Sequence, residues 1–118
     1  MTRKSDWPDT LTPAAVHILL ALADEDRHGL GIVDEVERRT GGDVKLGPGT
    51  LYGTIKRMRE AGLIEEPAEP ADPSEGDTRR RYYRITAGGR EALRAEARRL
   101  ERLVLTARQK AVLGPVEK

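Results

Sequence analysis

The side chains able to do chemistry gather in two stretches, GPGTLYGTIKRMREAGLI at residues 47–64 and TRRRYYRITAGG at residues 78–89. They offer the hydroxyls of Thr50 and Tyr52, the cations Lys56, Arg57, Arg79, Arg80 and Arg81, and two glycines, Gly49 and Gly53. Such groups donate hydrogen bonds and positive charge to phosphates and base edges. They do not form a catalytic set. Only two serines occur, Ser5 and Ser74, both in irregular segments, and no cysteine nucleophile accompanies them. His17 and His28 sit on different elements, without HExxH or paired-carboxylate spacing. The pattern argues against an enzyme and against a metal site, and no cofactor motif is present.

Spacing assigns the first stretch to a helix. Gly47 stands at the cap, Pro48 takes the first-turn position where a missing N–H costs nothing, and Gly62 ends the helix. Leu51, Ile55 and Met58 recur at i, i+4, i+7 and define the buried face. Gly49, Gly53 and Lys56 then point outward, flanked by Thr50, Tyr52 and Arg57. Glycine inside a helix costs about 1 kcal/mol relative to alanine. Gly53 therefore asks for a reason, and close approach of a phosphate backbone or base edge is one.

The net charge is only +1 over 118 residues, but the charge is segregated. Residues 24–43 carry seven acids against three bases, and residues 65–77 carry six acids and no base. Residues 45–62 carry four bases against one acid, and residues 79–84 four bases and no acid. Positive charge thus concentrates in the two chemical stretches, as a local phosphate-binding surface requires. The absence of cysteine suits a cytoplasmic protein, and neither a membrane-spanning run nor a signal-peptide pattern is present.

The other elements exist to position these stretches. Residues 1–10 read as a loose arm containing Trp7. Thr12 and Pro13 open a first helix ending near Asp24, a polar turn DEDRHG follows, and a second helix over residues 29–40 buries Ile32, Val33 and Val36. After the motif helix, residues 63–66 extend as a strand, Pro67, Pro70 and Pro73 impose a loop, and residues 80–85 return as a second strand. Alternation sends Tyr83 and Ile85 inward, Arg80 and Arg84 outward. Thr86 caps a last helix over residues 87–113, stopped by Gly114 and Pro115 in the tail 114–118. Its seam Leu93, Ala97, Leu100, Val104, Ala107 and Ala111 follows heptad spacing over roughly 40 Å, more apolar stripe than so small a domain covers. A second copy, held mainly by Leu93, Leu100 and Val104 with a contribution from helix one, is the expected cover.

The predicted architecture is mainly α with a small β-hairpin: a winged helix-turn-helix over residues 11–86 and a long C-terminal dimerisation helix over residues 87–113. With HGLGI at residues 28–32, PGTLYGTIKRMREAGLI and RRYYRITAGG in this order, the chain resembles the PadR family of bacterial transcriptional regulators, in the short form with one C-terminal helix. The resemblance implies a homodimer that binds double-stranded DNA at an inverted-repeat operator through the third helix and the wing, acting as a repressor. It assigns Thr50 and Tyr52 to phosphates, Gly49 and Gly53 to close approach, Lys56 and Arg57 to groove or backbone, and Leu51 to the core.

Two departures qualify it. Leu30 replaces the aromatic residue common after His-Gly in the family, and is expected to pack at the edge of helix two. The wing tip carries Glu65, Glu66, Glu69, Asp72, Glu75 and Asp77, which repel phosphates, so the basic stem Arg79, Arg80 and Arg81 is expected to grip the backbone instead. Adjacency suggests that the acids screen these arginines when DNA is absent. The resemblance also implies a small hydrophobic or aromatic effector, although the long helix has no aromatic residue to stack against one. Alternatives are a winged-helix module that binds protein and never touches DNA, and a MarR-like regulator.

Overall fold

Thr12 accepts a hydrogen bond from the Ala15 N–H at 3.2 Å, and Pro13 follows with its φ already helical. The first helix, α1 (Pro13–Leu22), starts from this cap and buries Ala15, Ile18, Leu19, Ala21 and Leu22. The computed structural model describes residues 11–68 and 81–115. After α1 come β1 (Arg27–His28), α2 (Gly29–Arg39), α3 (Pro48–Glu60), β2 (Ile64–Glu65), β3 (Tyr82–Ile85) and α4 (Ala87–Gln109). Helix α1 is central, touching α2, α3, α4 and β3. Its Ile18 and Leu19 join Ile32 and Val36 of α2 and Met58 of α3 in a core without solvent access. Burying one such side chain stabilises by about 1.5–3 kcal/mol.

The turn from α3 into the wing depends on Gly62. Its φ of +80° lets its N–H reach the Arg59 carbonyl and the Leu63 N–H reach the Met58 carbonyl, which ends α3 and reverses the chain. Strand β2 follows at once, antiparallel to β3, with Ile64 opposite Ile85 and Glu65 opposite Arg84. Thr86 closes the base of the hairpin. Its hydroxyl donates to the Gly62 carbonyl at 2.6 Å and accepts from the Gly89 N–H at 3.0 Å, so one residue fixes both the wing and the start of α4. Tyr83 and Ile85 are buried, as alternation requires.

Two expectations need correction. The DEDRHG segment is not only a turn, because Arg27 and His28 pair with Tyr83 and Tyr82 to form β1. The sheet is three-stranded, in the order β1-β3-β2, rather than a two-stranded hairpin. A two-residue strand has no periodicity of its own; its existence depends on a partner far along the chain. The last helix ends at Gln109 instead of near residue 113, so Ala111 of the expected seam lies beyond it with φ +64°. The Ala111 and Val112 N–H groups bond back to the carbonyls of Arg108 and Ala107, and the Arg108 guanidinium takes the Gly114 carbonyl. These bonds close the helix before Gly114 and Pro115 can.

Helices α1 and α2 are clamped by Arg39. Its guanidinium meets Glu35 through two 2.9 Å hydrogen bonds and reaches across to the His17 carbonyl at 3.2 Å and Nδ1 at 3.3 Å. Arg39 can only donate, so Nδ1 is the unprotonated nitrogen in this arrangement. Burial, then the Arg39 charge, hold the His17 imidazole below its ordinary value of 6.5, against an opposing pull from Glu35. The folded state therefore disfavours protonated His17 more than the unfolded chain does. This contribution to stability is complete above the unfolded pKa and is lost as pH falls through the depressed folded one. The melting temperature should drop between pH 7.5 and 5.5 by more in the wild type than in His17→Gln, and equal drops would count against the clamp.

Candidate nucleic-acid interface

The outer face of α3 is built by what its inner face buries. Leu51, Thr54, Ile55 and Met58 are buried, so Gly49, Thr50, Tyr52, Gly53, Lys56 and Arg57 are turned out together. The structure thus collects on one side of one helix six of the residues singled out from the sequence. A Cβ placed on Gly49 or Gly53 would meet nothing within 4 Å, so neither glycine is required by packing among the described residues. Thr54 was missed because only apolar residues were counted on the buried stripe.

Tyr52 has a structural duty as well. It is half exposed, but its phenol lies across the start of α2, where a Cβ on Gly29 would overlap the Tyr52 hydroxyl and come within 3.0 Å of Cζ. Glycine at position 29 is what lets α3 approach α2 this closely. The preceding residue, His28, caps α2 by accepting the Gly31 N–H on Nδ1 at 3.2 Å, and its ring meets Tyr82 edge-on at 5.4 Å. The His-Gly pair is therefore a joint between α2, α3 and the wing, a role that a sequence reading of His28 as a turn residue did not find. Leu30 departs from expectation. It is 63% exposed beside this joint instead of packing at the helix edge.

Acids and bases sort into two sets. The acidic turn after α1 is neutralised internally: Arg27 donates to the Ala21 carbonyl and lies 3.5 Å from Asp24 and 3.4 Å from Glu25. Arg84 grips Asp26 with bonds of 3.0 and 2.8 Å, and Arg90 takes the Ala23 carbonyl. Arg84 thus belongs to the scaffold. The second set flanks α3: Lys56 meets Glu60 at 3.0 Å, while Arg59 and Arg81 both meet Glu66, at 3.4 and 3.6 Å. Burial, followed by the Glu66 charge, raises the Tyr83 pKa above its ordinary value. Arg59 and Glu66 were not among the sequence candidates as a pair, since a residue on a helix and one beyond the end of the following strand share no helical or strand spacing. Arg79 and Arg80, with the tip acids Glu69, Asp72, Glu75 and Asp77 and the arm residue Trp7, lie outside the described residues.

Helix α4 divides its apolar stripe in two. Leu93 packs on the domain's own core, whereas Leu100 and Val104 are 38% and 39% exposed, Ala97 is open and Ala107 half-buried. Leu103, on the flank of the same stripe and outside the heptad count, is 57% exposed. Glu96 interrupts the stripe, buried and held by Arg99 at 2.6 and 3.1 Å. The Arg99 hydrogen bonds, with help from a backbone bond from Leu11, keep its carboxyl below the usual range despite burial. Among the described residues no cluster of His, Cys, Asp or Glu could hold a metal ion, and no helix is long and apolar enough to cross a membrane.

This arrangement is shared with known proteins. Residues 18–95 match the transcriptional regulator PadR-like family. The chain is 36% identical over 88 residues to the transcriptional regulator Rv3488 of Mycobacterium tuberculosis, covering 75% of this chain and 76% of that protein. A transcriptional regulator from Clostridium thermocellum superposes with a TM-score of 0.67 at 25% identity, over 85% of this chain and 90% of its own. A PadR family transcription regulator from Clostridium difficile shares the fold, with a TM-score of 0.68 at 22% identity over 85% and 99% of the two chains. Regulators of this family are not enzymes. The three-stranded wing, the His-Gly joint and the open face of α3 accordingly belong to a winged-helix transcriptional regulator, and the chain is a member of the PadR-like family.

Proposed function

We propose that this regulator binds double-stranded DNA as a homodimer, with α3 in the major groove and the basic stem of the wing on the backbone, and represses from an inverted-repeat operator in the cytoplasm. The observation that carries this reading is the face of α3: two glycines in open space, Gly49 and Gly53, among Thr50, Tyr52, Lys56 and Arg57. A helix selected for stability alone would not keep Gly53. Arg81, 70% exposed just before β3, supports the backbone contact, with Arg79 and Arg80 preceding it in sequence. Leu100, Leu103 and Val104, with Ala97 and Ala107, support a partner helix along α4. Ala111 drops out of that seam because it lies past the helix end. Leu93 is largely occupied by its own domain.

Three measurements test this. Gly53→Ala should stabilise the free protein by about 1 kcal/mol, while the added methyl holds DNA away and weakens binding roughly tenfold, a loss of about 1.4 kcal/mol. A variant that is stabilised and still binds normally would return Gly53 to the scaffold. In gel shifts with the DNA upstream of the protein's own gene, Lys56→Ala should bind more weakly and lower the salt slope by about 1, and an unchanged slope would remove Lys56 from the contact face. Sedimentation at micromolar concentration should give twice the chain mass, and Leu100→Glu with Val104→Glu should give the monomer. A monomeric wild type would refute the dimer.

A further inference from the structure

Glu66 is placed where the two proposed DNA-gripping elements meet. A cleft between α3 and β2 is lined by Lys56, Arg59, Glu60, Ile64, Glu65 and Glu66, so the helix and the wing face one another across charged walls. One carboxylate oxygen of Glu66 lies 3.4 Å from the Arg59 guanidinium on α3 and 3.6 Å from that of Arg81 just before β3. The neighbouring acid, Glu65, lines the same cleft but meets neither guanidinium among the described ion pairs; it stands opposite Arg84 in the β2–β3 ladder, where Arg84 is held by Asp26. Two adjacent acids of equal charge thus do different things. Glu65 lies opposite a scaffold arginine in the ladder, and Glu66 bridges the two basic elements.

A carboxylate held between two guanidinium groups occupies them as a phosphate oxygen would. We propose that Glu66 is an internal phosphate mimic: it neutralises Arg59 and Arg81 in the free protein, ties the wing to α3, and must be displaced when a DNA backbone takes their place. This rests on the DNA-binding reading above and adds to it a residue that sets the threshold for binding. Both pairs are partly solvent-exposed, with side-chain exposures of 43%, 33% and 70% for Arg59, Glu66 and Arg81, so each is weak and readily exchanged for a stronger partner. An internal competitor that every complex must displace weakens each of them by the same factor, whatever its affinity. The effect is read most directly on non-specific DNA, whose binding is almost wholly electrostatic.

The test compares Glu66→Gln with Glu65→Gln, two substitutions that raise the net charge equally and differ in whether they release Arg59 and Arg81. Binding to a random-sequence duplex is measured by fluorescence anisotropy across a salt series. Glu66→Gln should tighten binding roughly threefold to tenfold, the sum of two weak surface pairs, and steepen the salt dependence, because the released arginines now exchange solution anions for phosphates. Glu65→Gln should change neither by as much. In an Arg59→Ala background the gain from Glu66→Gln should shrink, a coupling that general charge would not produce. Equal effects of the two substitutions, or an undiminished gain without Arg59, would overturn the role of Glu66 and leave the DNA-binding function intact. A wild-type protein that binds no duplex at any salt concentration would overturn both.

Discussion

The burial of α1 is the constraint on which the rest of the molecule depends. This ten-residue helix removes Ile18 and Leu19 from solvent completely, and α2, α3, α4 and β3 all pack on it. A domain with few aromatic residues and no cysteine depends on such aliphatic burial for its stability. Once α1 is covered, the inner faces of α2 and α3 are set, and the outer face of α3 is whatever remains. The site is in this sense a by-product of the core: Leu51, Ile55 and Met58 turn inward, so Gly49, Gly53 and Lys56 turn outward.

Electrostatics then decides which charged groups remain at the site. The arginines Arg27, Arg84 and Arg90 are committed to the acidic turn and carbonyls at the end of α1, where positive charge also suits a helix C-terminus. They hold the sheet and α4 to the core. Around α3, Arg59 and Arg81 lie 3.4 and 3.6 Å from Glu66, farther than the 2.8 and 3.0 Å at which Arg84 holds Asp26, whereas Lys56 meets Glu60 at 3.0 Å. A near-neutral chain can thus still present a basic face, because its acids are spent partly inside the scaffold. The His-Gly joint works in the same direction, fixing α2 through a cap on His28 and leaving room at Gly29 for the Tyr52 ring.

Much of this was legible beforehand. Thr12, Gly47 and Thr86 marked helix starts, Gly62 the end of α3, and the alternation of Tyr83 and Ile85 the inner face of β3, because caps, turns and side-chain periods are local properties. The segregation of charge gathered the bases on α3 and just before β3, the elements on which the proposed interface rests. What escaped was non-local. Strand β1 exists only through β3, Arg84 meets Asp26 across the sheet, and Glu66 joins a helix to a wing. The end of α4 is illegible for a different reason: Ala111 takes a conformation usually left to glycine, and nothing in its side chain announces it.

By itself, then, the sequence determined the order of elements, the composition of the α3 face and the apolar stripe of α4, since each follows from neighbours a few positions apart. The tertiary structure decided which charges are available and which are consumed, where the third strand lies, and how α4 divides between its own core and open surface. Those outcomes depend on distances between residues far apart in the chain, and only the folded backbone sets them.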